Sequence, residues 1–122
     1  MDLQIAVRNI GRVTILDVVG EIDLYTVPQL EEALRAAASG PQPLLGVNLG
    51  GVSYLDSTGL RVLTEWSKQA RARDGAFAVI VDQPTIQKLF RITGLGEIVP
   101  VLATEQEAIA HLKGQPPTPP RG

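Results

Sequence analysis

The chain has 122 residues, 44% of them hydrophobic and 20% charged, which suits one compact domain with a sizeable core rather than two domains or a disordered chain. The net charge of −2 includes no basic block, so nothing offers nucleic acid an electrostatic footprint. The absence of cysteine excludes disulfides, thiolate zinc sites and cysteine nucleophiles.

Met1-Asp2-Leu3-Gln4 lacks the basic segment and apolar run of a signal peptide, and no apolar stretch approaches bilayer-spanning length. The expected location is the cytoplasm, without membrane contact. Leu3, Ile5 and Val7 alternate with polar or small neighbours, predicting an edge strand, and turn residues Asn9-Ile10-Gly11-Arg12 lead into a more apolar strand over Val13 to Val19. Gly20-Glu21-Ile22-Asp23 closes that strand. A helix follows over Thr26 to Ser39, with Val27, Leu30, Leu34 and Ala37 on one face, a capping box of Thr26 and Gln29, and Gly40 past its end.

Leu44 to Leu49 predicts a buried strand, in which Gly46 either weakens packing or admits a close neighbour, and Gly50-Gly51 is expected to loosen the chain beyond it. Then comes Tyr54-Leu55-Asp56-Ser57-Thr58-Gly59-Leu60. Asp56 and Ser57 are both good N-cap residues for a helix from Thr58 to about Arg73, with Gly59, Val62, Leu63, Trp66 and Ala70 inward and Gly75 at its stop. Ala76 to Val81 predicts a strand, Pro84 opens a helix carrying Ile86, Leu89 and Phe90, and Gly94 stops it. A short strand is expected over Glu97 to Val101. The last helix starts at a capping box of Thr104 and Glu107 and buries Ala108, Ile109 and Leu112; the proline-rich residues 114–122 are expected to be disordered or extended. Strands alternating with helices imply an α/β fold with a mostly parallel mixed sheet of about five strands and about four helices.

Catalytic constellations are missing from this pattern. His111 is the single histidine and reads as a half-exposed helix residue, no Gly-x-Ser-x-Gly surrounds Ser57, and neither a Walker loop nor Gly-x-Gly-x-x-Gly occurs. The chain is therefore not expected to be an enzyme, and no cofactor is predicted. Glu21, Asp23 and Asp56 lack ligand spacing, and they read as solvated acids at loop ends rather than as a metal site.

In an open α/β sheet, loops at the carboxyl ends of parallel strands share one edge. The Gly20 to Tyr25 loop and the Leu55 to Leu60 turn are thus expected to be neighbours. Asp23, Leu24, Tyr25, Ser57, Thr58 and Leu60 would form one mixed patch there, with Leu24 and Tyr25 either partner anchors or, for one of them, packed inward. A phosphate on Ser57 would meet free N–H donors at a helix start and spare the fold, yet it would put roughly 1.5 to 2 negative charges into any interface over that spot. Gly59 would let such a partner approach the backbone. Read by themselves, the same four residues Asp56-Ser57-Thr58-Gly59 also serve as a plain helix start.

Three motifs, Gly20-Glu21-Ile22-Asp23, Leu55-Asp56-Ser57-Thr58-Gly59-Leu60 and Leu89-Phe90-Arg91-Ile92-Thr93-Gly94-Leu95, occur in an order and at separations that resemble the sulfate transporter and anti-sigma factor antagonist (STAS) domains, and within them the bacterial anti-sigma factor antagonists. The resemblance spans about Leu3 to Leu112, with a STAS domain over residues 1–113 and the tail over 114–122. It implies that Ser57 is phosphorylated by an anti-sigma factor serine kinase, that the unmodified protein binds this kinase and frees a sigma factor, and that a PP2C-type phosphatase reverses the modification. It also implies that the partner surface draws on Glu21, Asp23, Leu24, Tyr25, Asp56, Ser57, Thr58, Gly59 and Leu60. The alternatives are a STAS scaffold or regulatory subunit of a stress-signalling or transporter-associated complex that is never phosphorylated, and a small-molecule or nucleotide sensor.

Overall fold

The computed structural model describes residues 3–114; the tail expectation, apart from Gly114, lies outside the described residues. Alternating apolar residues form β1 (Gln4–Ile10) and β2 (Val13–Ile22), an antiparallel pair joined by Gly11-Arg12. Gly11 has φ of 60°, a backbone state that glycine supplies at the first position of a two-residue hairpin loop. The remaining elements follow as α1 (Val27–Ala37), β3 (Leu44–Leu55), α2 (Ser57–Ala72), β4 (Ala76–Ile80), α3 (Pro84–Ile92), a 3-10 turn (Leu95–Glu97), β5 (Val101–Leu102) and α4 (Glu105–Leu112). The sheet order is β1-β2-β3-β4-β5, and every pair after the first is parallel. The α/β expectation of five strands and four helices holds.

The helices divide between the two faces of the sheet. Val27, Leu30 and Leu34 of α1, Leu63 and Trp66 of α2, and Ile86 and Phe90 of α3 form the larger core with Leu16, Val18, Leu45 and Val47. Ala108 and Leu112 of α4 cover Val13, Ile15, Ala78 and Ile80 on the other face. Gly46 belongs to this second layer: a Cβ there would lie 2.7 Å from Ile15 Cδ1 and 3.4 Å from Leu112 Cδ1, so its missing side chain makes room for its neighbours. Among the described residues no helix is long and apolar enough to cross a membrane.

Several local expectations are corrected. β3 does not stop at Leu49 but runs through Gly50-Gly51 to Leu55. Two register slips against β2, between Asp17 and Val19 and between Gly20 and Glu21, each insert an extra residue into β3. Leu49, Val52 and Leu55 therefore all face the core although they stand three apart. Thr26 and Gln29 form no capping box: Thr26 is helical in φ and ψ, makes no side-chain cap, and turns its hydroxyl back to Glu21 O at 2.7 Å, while Gln29 Oε1 accepts from Leu3 N. The strand expected over Glu97 to Val101 starts later, because residues 95–97 form a 3-10 turn and Pro100, lacking an N–H, enters the ladder only by accepting from Val79 N. Thr104 does cap α4, accepting from Glu107 N at 3.2 Å.

An exposed ion pair ties the hairpin to α4. Arg8 Nε donates to Asp17 Oδ2 at 2.6 Å, Arg8 also reaches Glu105, and Asn48 Nδ2 donates to Asp17 Oδ1 at 2.9 Å. The Arg8 guanidinium, and to a lesser degree Asn48, hold the Asp17 carboxyl below the usual carboxylate range against a partial desolvation. The native state therefore binds fewer protons than the unfolded chain, so this stabilisation is complete above the unfolded carboxylate range and is lost as pH falls through the native value. Because the pair is solvent-screened, the contribution is under about 1 kcal/mol. Urea unfolding at pH 7 and pH 3.5 is expected to show a smaller acid loss for Asp17→Asn than for the parent chain. Identical losses in the two proteins would remove Asp17 from the acid sensitivity.

Candidate functional site: the paired loops at the strand ends

β2 and β3 end side by side, with Ile22 in register with Leu55. Asp56 N donates to Ile22 O at 3.2 Å, which joins the loop after β2 to the start of α2 through the backbone. The two stretches expected to be neighbours are neighbours.

The choice between Asp56 and Ser57 as cap is decided. Asp56 is extended, its Oδ1 accepts from Gly59 N at 3.1 Å, and its carbonyl accepts from Leu60 N. Ser57 is the first helical residue, exposed, and no hydrogen bond engages its hydroxyl among the described residues. With Asp56 occupying the Gly59 N–H, the N–H groups of Ser57 and Thr58 have no protein partner among the described residues, and no acidic residue stands in the first turn. A small anion carried by Ser57 therefore meets free donors and the positive end of a 16-residue helix.

The loop after β2 is held by side chains. Asp23 Oδ1 accepts from Tyr25 N at 2.9 Å and Thr26 N at 3.0 Å, while Thr26 Oγ1 accepts from Asp23 N at 3.0 Å. The backbone N–H of Thr26, followed by that of Tyr25, keeps the Asp23 carboxyl ionised below its usual range. Within this turn Leu24 and Tyr25 both point outward, at 65% and 88% exposure, so neither packs into the core. Glu21 is half-buried and stands opposite Tyr54 in the sheet register.

Two residues of the expected patch lie elsewhere. Leu60 is buried at 6% exposure among core residues, because its position in the first turn of α2 faces the sheet. Gly59 is also buried, and a Cβ there would sit 2.5 Å from Leu55 Cδ1 and 2.6 Å from Ile22 Cγ2. Its bare backbone thus lets α2 close onto β2 and β3 rather than admitting a partner. Gly59→Ala is expected to destabilise by about 1–2 kcal/mol, the overpacking outweighing the gain in helix propensity. Urea denaturation reads this directly, and a variant as stable as the parent would mean that Ile22 and Leu55 yield without strain. Among the described residues no three acidic or histidine side chains are grouped as a metal site would need.

The STAS domain family model matches residues 4–108, which spans every element from β1 into α4 and includes both loops. An anti-sigma-B factor antagonist of Listeria monocytogenes is 35% identical over 107 residues, covering 88% of this chain and 93% of that protein. The chain belongs to the STAS-domain anti-sigma factor antagonists. Among solved structures, an anti-sigma factor antagonist from Mycobacterium paratuberculosis has a TM-score of 0.81 at 28% identity, covering 91% of this chain and 94% of that one. SpoIIAA in its unphosphorylated form has a TM-score of 0.73 at 26% identity, covering 91% and 97%. The Bacillus cell fate determinant SpoIIAA in its phosphorylated form shares the fold, with a TM-score of 0.64 at 23% identity over 88% of this chain and 98% of that one. In this STAS domain, the start of α2 at Asp56-Ser57 and the Asp23 loop lie side by side at the carboxyl ends of β2 and β3.

Proposed function

We propose that this chain is a phosphorylation-switched anti-sigma factor antagonist acting in the cytoplasm. Unmodified, it binds an anti-sigma factor serine kinase through Glu21, Asp23, Leu24, Tyr25, Asp56, Ser57 and Thr58, and so releases a sigma factor for transcription. Gly59 and Leu60 support that surface from beneath. Phosphate on Ser57 ends the binding, and a PP2C-type phosphatase restores it.

The observation that carries the reading is the division of labour at the start of α2. Asp56 performs the capping that Ser57 could have performed, which leaves an exposed, unengaged hydroxyl beside free N–H donors. Phosphorylation there costs the fold little, because charge at a helix N-terminus is favourable. The same charge, added next to Asp56, strongly disfavours a docked partner. The relatives' names and the two solved forms of SpoIIAA support this choice of partner and modification.

Incubation with ATP and the anti-sigma factor kinase from the same genome, followed by mass-spectrometric site mapping, tests it. Phosphate is expected on Ser57 and none on the Ser57→Ala variant. A chain left unmodified by the kinase and recovered unmodified from cells under every growth condition would instead mark a STAS scaffold in which Ser57 is simply the first residue of a helix.

A further inference from the structure

Leu24 and Tyr25 are large, apolar in body and mostly exposed to solvent, which is an unfavourable arrangement unless something holds them out. What holds them is a clasp of four bonds across four residues. Asp23 Oδ1 takes the N–H groups of Tyr25 and Thr26, and the Thr26 hydroxyl takes Asp23 N and gives its proton to Glu21 O. Thr26 is 3% exposed, so this hydroxyl anchors the turn from within. Val27 N then donates to Asp23 O at 2.9 Å and starts α1 directly behind the two outward side chains.

We propose that Asp23 is a positioning residue of the partner surface, fixing Leu24 and Tyr25 in their outward turn and governing affinity through them rather than through a charge contact of its own. This rests on the reading of the chain as an antagonist that docks its kinase on this edge. The rival role is a direct ion pair, because Asp23 Oδ2 makes no hydrogen bond among the described residues. The two roles separate chemically. Asparagine keeps an oxygen acceptor at the Oδ1 position and removes the charge, whereas alanine removes both.

Amide hydrogen exchange on the isolated chain reads the clasp without any partner. Tyr25 and Thr26 amides are expected to exchange about tenfold faster in Asp23→Ala and within about threefold of the parent in Asp23→Asn. Binding to the purified anti-sigma factor kinase from the same genome reads the consequence. Asp23→Ala is expected to weaken it about tenfold, Asp23→Asn by less than about threefold, and Asp23→Ala placed in a Leu24→Ala/Tyr25→Ala background by less than about twofold more. Asp23→Asn binding as weakly as Asp23→Ala, or full additivity with the Leu24 and Tyr25 changes, would overturn the positioning role in favour of a charge contact. Unchanged exchange in Asp23→Ala would overturn it as well. A parent chain that fails to bind the kinase overturns the antagonist reading itself, and the exchange data then decide the clasp alone.

Discussion

Ser57→Asp is expected to weaken binding to the anti-sigma factor kinase by roughly a hundredfold or more while making the fold slightly more stable than the parent. A carboxylate at the first position of α2 faces free N–H groups and the positive helix end, which contributes about 0.3–1 kcal/mol of stability. Docking a partner over it buries an unpaired negative charge beside Asp56, at a cost of about 3 kcal/mol or more, which is roughly a hundredfold in affinity. Stability and affinity should therefore move in opposite directions. Thermal unfolding and titration calorimetry measure the two quantities, with Ser57→Ala as the control that removes the hydroxyl without adding charge. Ser57→Asp binding within about threefold of the parent would place the docking surface away from Ser57 and remove the basis for the switch.

Gly75→Ala is expected to be the most damaging single methyl in the domain. A Cβ at Gly75 would lie 2.0 Å from Pro43 O and 2.9 Å from Pro43 C, backbone atoms that cannot rotate aside as a side chain can. The same carbonyl accepts from Ala76 N at 2.8 Å, so moving it also breaks the entry of β4 beside β3. About 3 kcal/mol of destabilisation follows, with a Tm drop of more than about 10 °C. The left-handed residue at the end of α2 is Asp74, at φ of 59°, and Gly75 N closes the helix onto Ala70 O. Gly75 is thus required for close approach and not for a positive φ. Asp74→Gly gives the contrast, since it relieves a strained position and should stabilise by about 0.5–1 kcal/mol. A Gly75→Ala protein that melts with the parent would show that the segment from Pro43 into β3 moves at little cost.

Local chemistry made much of the fold legible. Period-two and helical patterns placed β1, β2, α1, α2, β4, α3 and α4 to within a few residues, because each buries one face against a neighbour and its apolar spacing is set by that burial. Thr104 capped α4 as its spacing with Glu107 indicated, since both partners of that bond lie within one turn. β3 was legible only to Leu49. Its inward residues beyond that point stand three apart, a spacing that matches neither a strand nor a helix, and only the slipped register against β2 makes them a strand face.

The sequence by itself determined the order of elements, the α/β class and the segment Asp56-Ser57-Thr58-Gly59 as the start of α2. The tertiary structure alone decided which residue caps α2, that Leu24 and Tyr25 both face solvent, that Leu60 and Gly59 face inward, and that the Thr26 hydroxyl turns back to Glu21 O instead of capping α1. The physical reason is the same in each case. A serine, aspartate or threonine next to a helix start has several hydrogen-bond partners within reach, and a glycine or leucine in its first turn can face either way around the axis. The neighbours brought in by the sheet, here Ile22, Leu55 and the backbone of the β2 loop, remove all but one of those options.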